Sequence, residues 1–170
     1  MVNPTIKPSV VLLKEITLFG AFTEKQLQTL LEKGKGIQYE AHTNIVIEGE
    51  LTWGLYIIMD GLLGVFKNNK LTGQSYDVGQ LRSGSFFGEM SLIDQNPRSA
   101  TVKTLTETQL FHISKDVFMD YLNLTPDLKL KFYLNCVSTL VNRLRELDDN
   151  YVISQYQLWQ SALKKGGGES

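Results

Sequence analysis

Near the start of the chain, apolar residues recur at helical spacing: Leu12, Leu13, Ile16, Leu18 and Phe19, then Phe22, Leu27, Leu30 and Leu31. Thr23 and Gln26 stand three apart ahead of the second group, a pairing in which each side chain satisfies a free amide at a helix start. Gly34 stands where a glycine ends one. Two short amphipathic helices are therefore predicted in an N-terminal segment, residues 1–34. The rhythm then changes to short runs rich in Val, Ile, Tyr and Phe at 37–41, 45–48, 55–59, 62–67, 75–81, 100–105 and 108–113. Gly49, Gly54, Asp60-Gly61, Asn68-Asn69, Gly73 and Ser83-Gly84 punctuate them, so they read as strands joined by tight turns. The expected fold is α+β, mainly β: an eight-stranded jelly-roll β-barrel over 35–113, with N-terminal helices and a long C-terminal helix.

Helical character returns after Ser114, an N-cap for 115–123, and after Thr125, which is followed by Pro126 at a first helical position. Nothing interrupts the pattern from there to about Lys165, a helix about 55 Å long at 1.5 Å per residue. One small domain cannot cover such a length. Spacings of four and three align Leu134, Val137, Val141, Leu144, Asp148, Tyr151, Gln155 and Leu158 in a coiled-coil register, which predicts a homodimer through this helix. The C-terminal helical region, 114–165, is expected to act as lid and dimerisation element, and 166–170 as a flexible tail.

Composition narrows the function. Hydrophobic residues make up 42% of the 170 and charged residues 21%, values of an ordinary globular protein. Net charge is −1, so no overall basic footprint points to direct nucleic-acid binding or to an anionic membrane. No apolar run is long enough to span a bilayer, and a cytoplasmic location is expected. One cysteine, Cys136, and two histidines, His42 and His112, provide neither a disulfide nor a zinc ligand set, nor the nucleophile–base pair or metal cluster that phosphodiester hydrolysis needs. The chain is therefore read as a non-enzyme without metal or cofactor. About ten residues follow Leu158 and they are not a helix pair, so direct DNA reading by a helix-turn-helix is not expected.

The chemistry concentrates between Gly84 and Val102. A turn leads into Phe87-Gly88-Glu89-Met90-Ser91-Leu92-Ile93, and Pro97-Arg98-Ser99-Ala100-Thr101-Val102 opens the next strand. Glu89 and Arg98, nine apart, flank a glycine-opened turn whose first amides lack internal partners. That combination suits an anion that also carries a hydroxyl: the guanidinium takes phosphate and the carboxylate accepts the hydroxyl proton.

These two segments resemble the phosphate-binding cassette of the cyclic nucleotide-binding domains, found in kinase regulatory subunits, nucleotide-gated channels and the bacterial catabolite activators. The likeness extends over about 12–145 and includes Ile16-Thr17-Leu18-Phe19, Ile47-Glu48-Gly49-Glu50 and Leu55-Tyr56-Ile57-Ile58-Met59-Asp60-Gly61. It implies that Glu89 binds the ribose 2′-hydroxyl and Arg98 the cyclic phosphate, that Gly88 and Met90 lend backbone to the cradle, and that Ser99 stands beside phosphate and base. It also implies that the long helix caps the base near Asp148. The implied ligand is cyclic AMP, with cyclic GMP as the alternative, and the implied role is a sensor governing a fused or partner effector. Two departures fall on turns outside the cassette: His42 replaces a glycine and Glu50 an aspartate.

Overall fold

The computed structural model describes residues 7–94 and 96–166, so the tail expected to be flexible lies almost wholly outside the described residues. Two helices open the chain, α1 (Val10–Glu15) and α2 (Glu24–Lys33), joined through a 3₁₀ turn at Thr17–Phe19. The capping box is present in both directions: the Gln26 amide donates to Thr23 Oγ1 at 3.3 Å and the Thr23 amide to Gln26 Oε1 at 2.8 Å. Gly34 does end α2, but in extended backbone rather than a left-handed turn. A Cβ there would sit 2.3 Å from the Phe111 ring, so close helix–sheet packing is what requires the glycine.

Among the described residues eight strands follow: β1 (Lys35–Tyr39), β2 (Asn44–Val46), β3 (Gly54–Asp60), β4 (Leu62–Asn68), β5 (Ser75–Arg82), β6 (Phe86–Phe87), β7 (Thr101–Thr104) and β8 (Thr108–Ser114). They form two four-stranded antiparallel sheets, ordered β1-β8-β3-β6 and β2-β7-β4-β5. The eight strands of the expected jelly-roll β-barrel are present, but as two sheets that do not close into a barrel. Strands as short as β2 and β6 end their ladders after two or three residues, and no ladder among the described residues joins one sheet to the other. His42, at the position of the missing turn glycine, stands in the left-handed region at φ 63°.

The first sheet is buried on both faces. Leu55, Ile57, Phe111 and Ile113 point to the helices, where Leu13, Phe19, Leu27, Leu30 and Phe118 complete a core. Ile58 and Leu110 point the other way, joining Val46, Leu63, Phe87 and Val102 between the sheets. Side chains alternate along a strand, so a strand covered on both sides reads as an unbroken apolar run, as Leu55–Ile58 does.

After β8 come α4 (Lys115–Asn123) and the 41-residue α5 (Pro126–Gly166), about 60 Å long. Among the described residues only the first part of α5 is buried in the core. Leu128, Phe132 and Cys136, spaced by four, are buried in the core, with the Phe132 ring edge-on to Phe118 at 4.9 Å. Burial of each of the first two is worth about 1.5–3 kcal/mol. From Val141 to Leu163 every side chain is exposed. Among the described residues no helix is long and apolar enough to cross a membrane.

Candidate functional site

A cavity of about 590 Å³ opens where the cassette, the second sheet and α5 meet. Its apolar wall is Val65, Val78, Leu81 and Val102; its polar end holds Glu89, Ser91 and Arg98; α5 contributes Arg143, Glu146, Leu147 and Asn150.

Backbone geometry builds the polar end. β6 pairs Phe87 with Tyr56, and the two rings stack 4.8 Å apart, which fixes where the chain turns at Gly88. Gly88 has φ +92°, and a Cβ on it would lie 2.2 Å from the Gly54 carbonyl oxygen and 2.8 Å from Arg98 Nη1. Only glycine satisfies both conditions. The turn hands over to the short helix α3 (Met90–Ile93), placing the Glu89 carboxylate inward at 1% exposure.

Arg98 arrives from the opposite side, with its main chain pinned between neighbours: its amide donates to Glu50 O and its carbonyl accepts from Gly49 N, each at 2.9 Å. The guanidinium is 6% exposed and donates from Nε to Thr52 Oγ1 (3.1 Å), from Nη1 to Ser91 Oγ (3.2 Å) and from Nη2 to Gly54 O (3.4 Å). Ser91 Oγ in turn donates to Gly88 O at 2.7 Å, tying the arginine's orientation to the turn that holds Glu89. All these acceptors are neutral, and no carboxylate among the described residues lies within ion-pair distance of Arg98. Burial pushes its pKa below the usual arginine value, opposed by the charges of Tyr56 and Glu89. A buried cation held by neutral groups at the floor of a cavity has the chemistry to take an anion.

Glu89 is paired with Arg143 of α5, which donates from Nη1 to Glu89 Oε1 and from Nη2 to Phe86 O at 3.3 Å. Glu89 and Arg98 are thus two separate charged ends of one site rather than a salt bridge with each other.

Five of the six residues singled out from the sequence, Gly88, Glu89, Met90, Arg98 and Ser99, line this cavity together. Asp148 does not: its side chain is exposed and absent from the lining. The face of α5 that docks is set by Leu128, Phe132 and Cys136, and extending that row by helical spacing reaches Arg143, Leu147 and Asn150. Asp148 lies about 100° round the helix from Leu147. Arg143, Thr52 and Asn150 were not singled out from sequence; the spacing of the buried row is the signal that points to Arg143 and Asn150.

His112 packs on Tyr56, rings 4.4 Å apart, and burial first, then Lys35 and Arg98, lowers its pKa to about 4. Between pH 6.5 and about 4 the unfolded chain takes up a proton that the folded chain refuses, so stability present above pH 6.5 is lost as pH falls. Urea unfolding at pH 7 and pH 5 should show that loss in the parent, and a smaller one in His112→Gln. Equal losses remove His112 as its source. Among the described residues no group of three or more His, Cys, Asp or Glu side chains is placed to hold a metal ion.

The family model for the cyclic nucleotide-binding domain matches residues 37–124. A cyclic AMP receptor protein of Thermus thermophilus is 31% identical over 136 residues, covering 80% of this chain and 61% of that one. A cGMP-dependent protein kinase of Plasmodium berghei is 33% identical over 109 residues, 64% of this chain and 12% of the kinase. The chain thus spans less than two thirds of either relative. Among solved structures, a cyclic nucleotide-binding domain from Methylobacillus flagellatus shares the fold with a TM-score of 0.75 at 24% identity, covering 88% of this chain and 87% of that one. With the match running over more than half of the chain and taking in the whole Glu89–Arg98 turn, this protein belongs to the cyclic nucleotide-binding domain family.

Proposed function

We propose that the chain is a sensor without chemistry of its own, which binds cyclic AMP in the cavity between cassette and α5 and relays occupancy through that helix in a cytoplasmic homodimer to a fused or partner effector. The observation that carries the binding reading is Arg98, a buried guanidinium whose partners among the described residues are neutral, sharing a cavity with the buried carboxylate of Glu89. A cyclic phosphate on Arg98 supplies the missing negative charge, and the ribose 2′-hydroxyl donates to Glu89. The base then lies against Val65, Val78 and Leu81 under α5.

Two side chains of α5 bear on the base. Asn150, donor and acceptor at once, matches the amino group and ring nitrogen of adenine. Glu146, acceptor only, suits the adjacent N–H donors of guanine and favours cyclic GMP as the second reading. Calorimetric titration with both nucleotides decides between them, and no heat with either defeats the proposal.

Glu89→Gln should weaken the ribonucleotide more than its 2′-deoxy analogue, because the hydrogen bond concerned exists only when the hydroxyl does. Equal losses in a competition assay make Glu89 structural.

The relay has a candidate contact in the Arg143–Glu89 ion pair, which links α5 to the carboxylate that the ribose engages. A ligand shifts a conformational equilibrium only through contacts that differ between the two states, and this ion pair is the contact of α5 that shares the carboxylate with the ribose hydroxyl. Amide exchange beyond residue 145 should respond to nucleotide in the parent and lose that response in Arg143→Ala. An unchanged response places the coupling elsewhere.

A further inference from the structure

On the face turned away from its own domain, α5 carries apolar side chains that recur with a longer period than seven. Leu130, Val141, Val152 and Leu163 follow one another at intervals of eleven residues, and they are 61%, 39%, 66% and 57% exposed. At about 100° per residue this row lies roughly half a turn from the face formed by Leu128, Phe132 and Cys136 and continued over the cavity by Arg143 and Asn150.

The period decides which face a partner can follow. A seven-residue repeat drifts by about 20° per heptad on a straight helix. On α5 that drift carries Tyr151 and Leu158 toward Leu147, which lines the cavity. An eleven-residue repeat corresponds to about 3.67 residues per turn, nearer to the straight helix, and drifts the other way. The eleven-residue row therefore stays opposite the domain along the whole helix.

Two exposed charges interrupt it, Arg145 and Asp148, three residues apart and opposite in sign. A second copy of the chain brings its own Asp148 and Arg145, so each charge meets an opposite one whichever way the two helices run. A purely apolar partner surface strips both of water with nothing in return.

We infer that two copies meet along the Leu130, Val141, Val152 and Leu163 face as a nearly straight or slightly right-handed helix pair, with Arg145 and Asp148 paired across the seam. This rests on the pairing through α5 proposed above and replaces the four-three register expected beyond Leu144. It also assigns Asp148 to the interface between copies instead of the base.

Cysteine placement in the full chain tests it, since Cys136 is fully buried and silent under native oxidation. In a glutathione redox buffer, Val152→Cys, alone or mixed with Val141→Cys, should form covalent dimers in large excess over Tyr151→Cys and Leu158→Cys. Linking of Val152→Cys alone reads parallel helices, and linking only in the mixture reads antiparallel ones. Arg145→Asp should raise the dimer dissociation constant by about tenfold through its two symmetry-related pairs, and adding Asp148→Arg should restore it. Stronger linking at Tyr151 and Leu158 overturns the eleven-residue register while keeping the dimer. A monomer by light scattering at high micromolar concentration overturns the pairing itself. Nucleotide titration is read separately, so loss of the sensor reading is not confused with either result.

Discussion

Arg98→Ala is expected to abolish most cyclic-nucleotide affinity, raising Kd by roughly 30-fold to several thousand-fold, the equivalent of about 2–5 kcal/mol for one member of a buried charge pair. The parent site holds the guanidinium through three donors to Thr52, Ser91 and Gly54, so its fork is set before any phosphate arrives. Arg98→Lys should recover only part of the loss, because an ammonium is a point charge and cannot make the forked contact. Stability should respond far less than binding. Among the described residues the arginine has no carboxylate partner, so its removal strands no opposite charge and relieves a burial cost. Calorimetry and thermal unfolding on the same variant separate the two effects. Binding that survives in Arg98→Ala would mean that the anion sits somewhere else.

Gly88→Ala should damage both fold and site. The left-handed backbone at φ +92° costs an L-residue about 1–2 kcal/mol. In addition, the new methyl would meet Gly54 O at 2.2 Å and Arg98 Nη1 at 2.8 Å, and neither can yield cheaply. Gly54 O accepts from Arg98 Nη2, so displacing it displaces the guanidinium. A total of at least about 2 kcal/mol corresponds to a fall in Tm of about 4–8 °C for a chain of this size. Gly84→Ala is the control: its φ is +82° but nothing lies within 4 Å of the added carbon, so it should show the conformational cost alone, with affinity preserved. Equal effects at the two positions would show that crowding at Gly88 is unimportant.

What could be read in the sequence was what neighbouring residues decide. The Thr23–Gln26 box is complete within four positions, and the strands are bounded by turns that their own residues demand. The cassette residues Gly88, Glu89, Met90, Arg98 and Ser99 belong to one short stretch, so their meeting in a cavity was legible too. β6 was missed because two residues, Phe86 and Phe87, are too few to show alternation beside a Gly-Ser turn. Gly34 was expected for the right boundary but for a different reason, since its need comes from Phe111, far along the chain. Asp148 and Arg143 show the same limit. Their roles depend on which side of α5 meets the domain, and a helix with apolar residues on two faces does not announce which one its own core will take.

Cys136 gives the docking of α5 a readable signal. Its thiol has no exposed surface, and burial, with Glu89 adding to it, pushes its pKa up to about 12, so a native chain offers an alkylating reagent neither access nor thiolate. Modification must pass through moments when the helix lifts from Phe118 and the 3₁₀ turn and the sulfur regains its ordinary acidity. The labelling rate, divided by that of a free thiol, is then the equilibrium constant for undocking. One native atom can thus report, without any substitution, how often this helix lets go of its domain and how far a bound nucleotide changes that frequency.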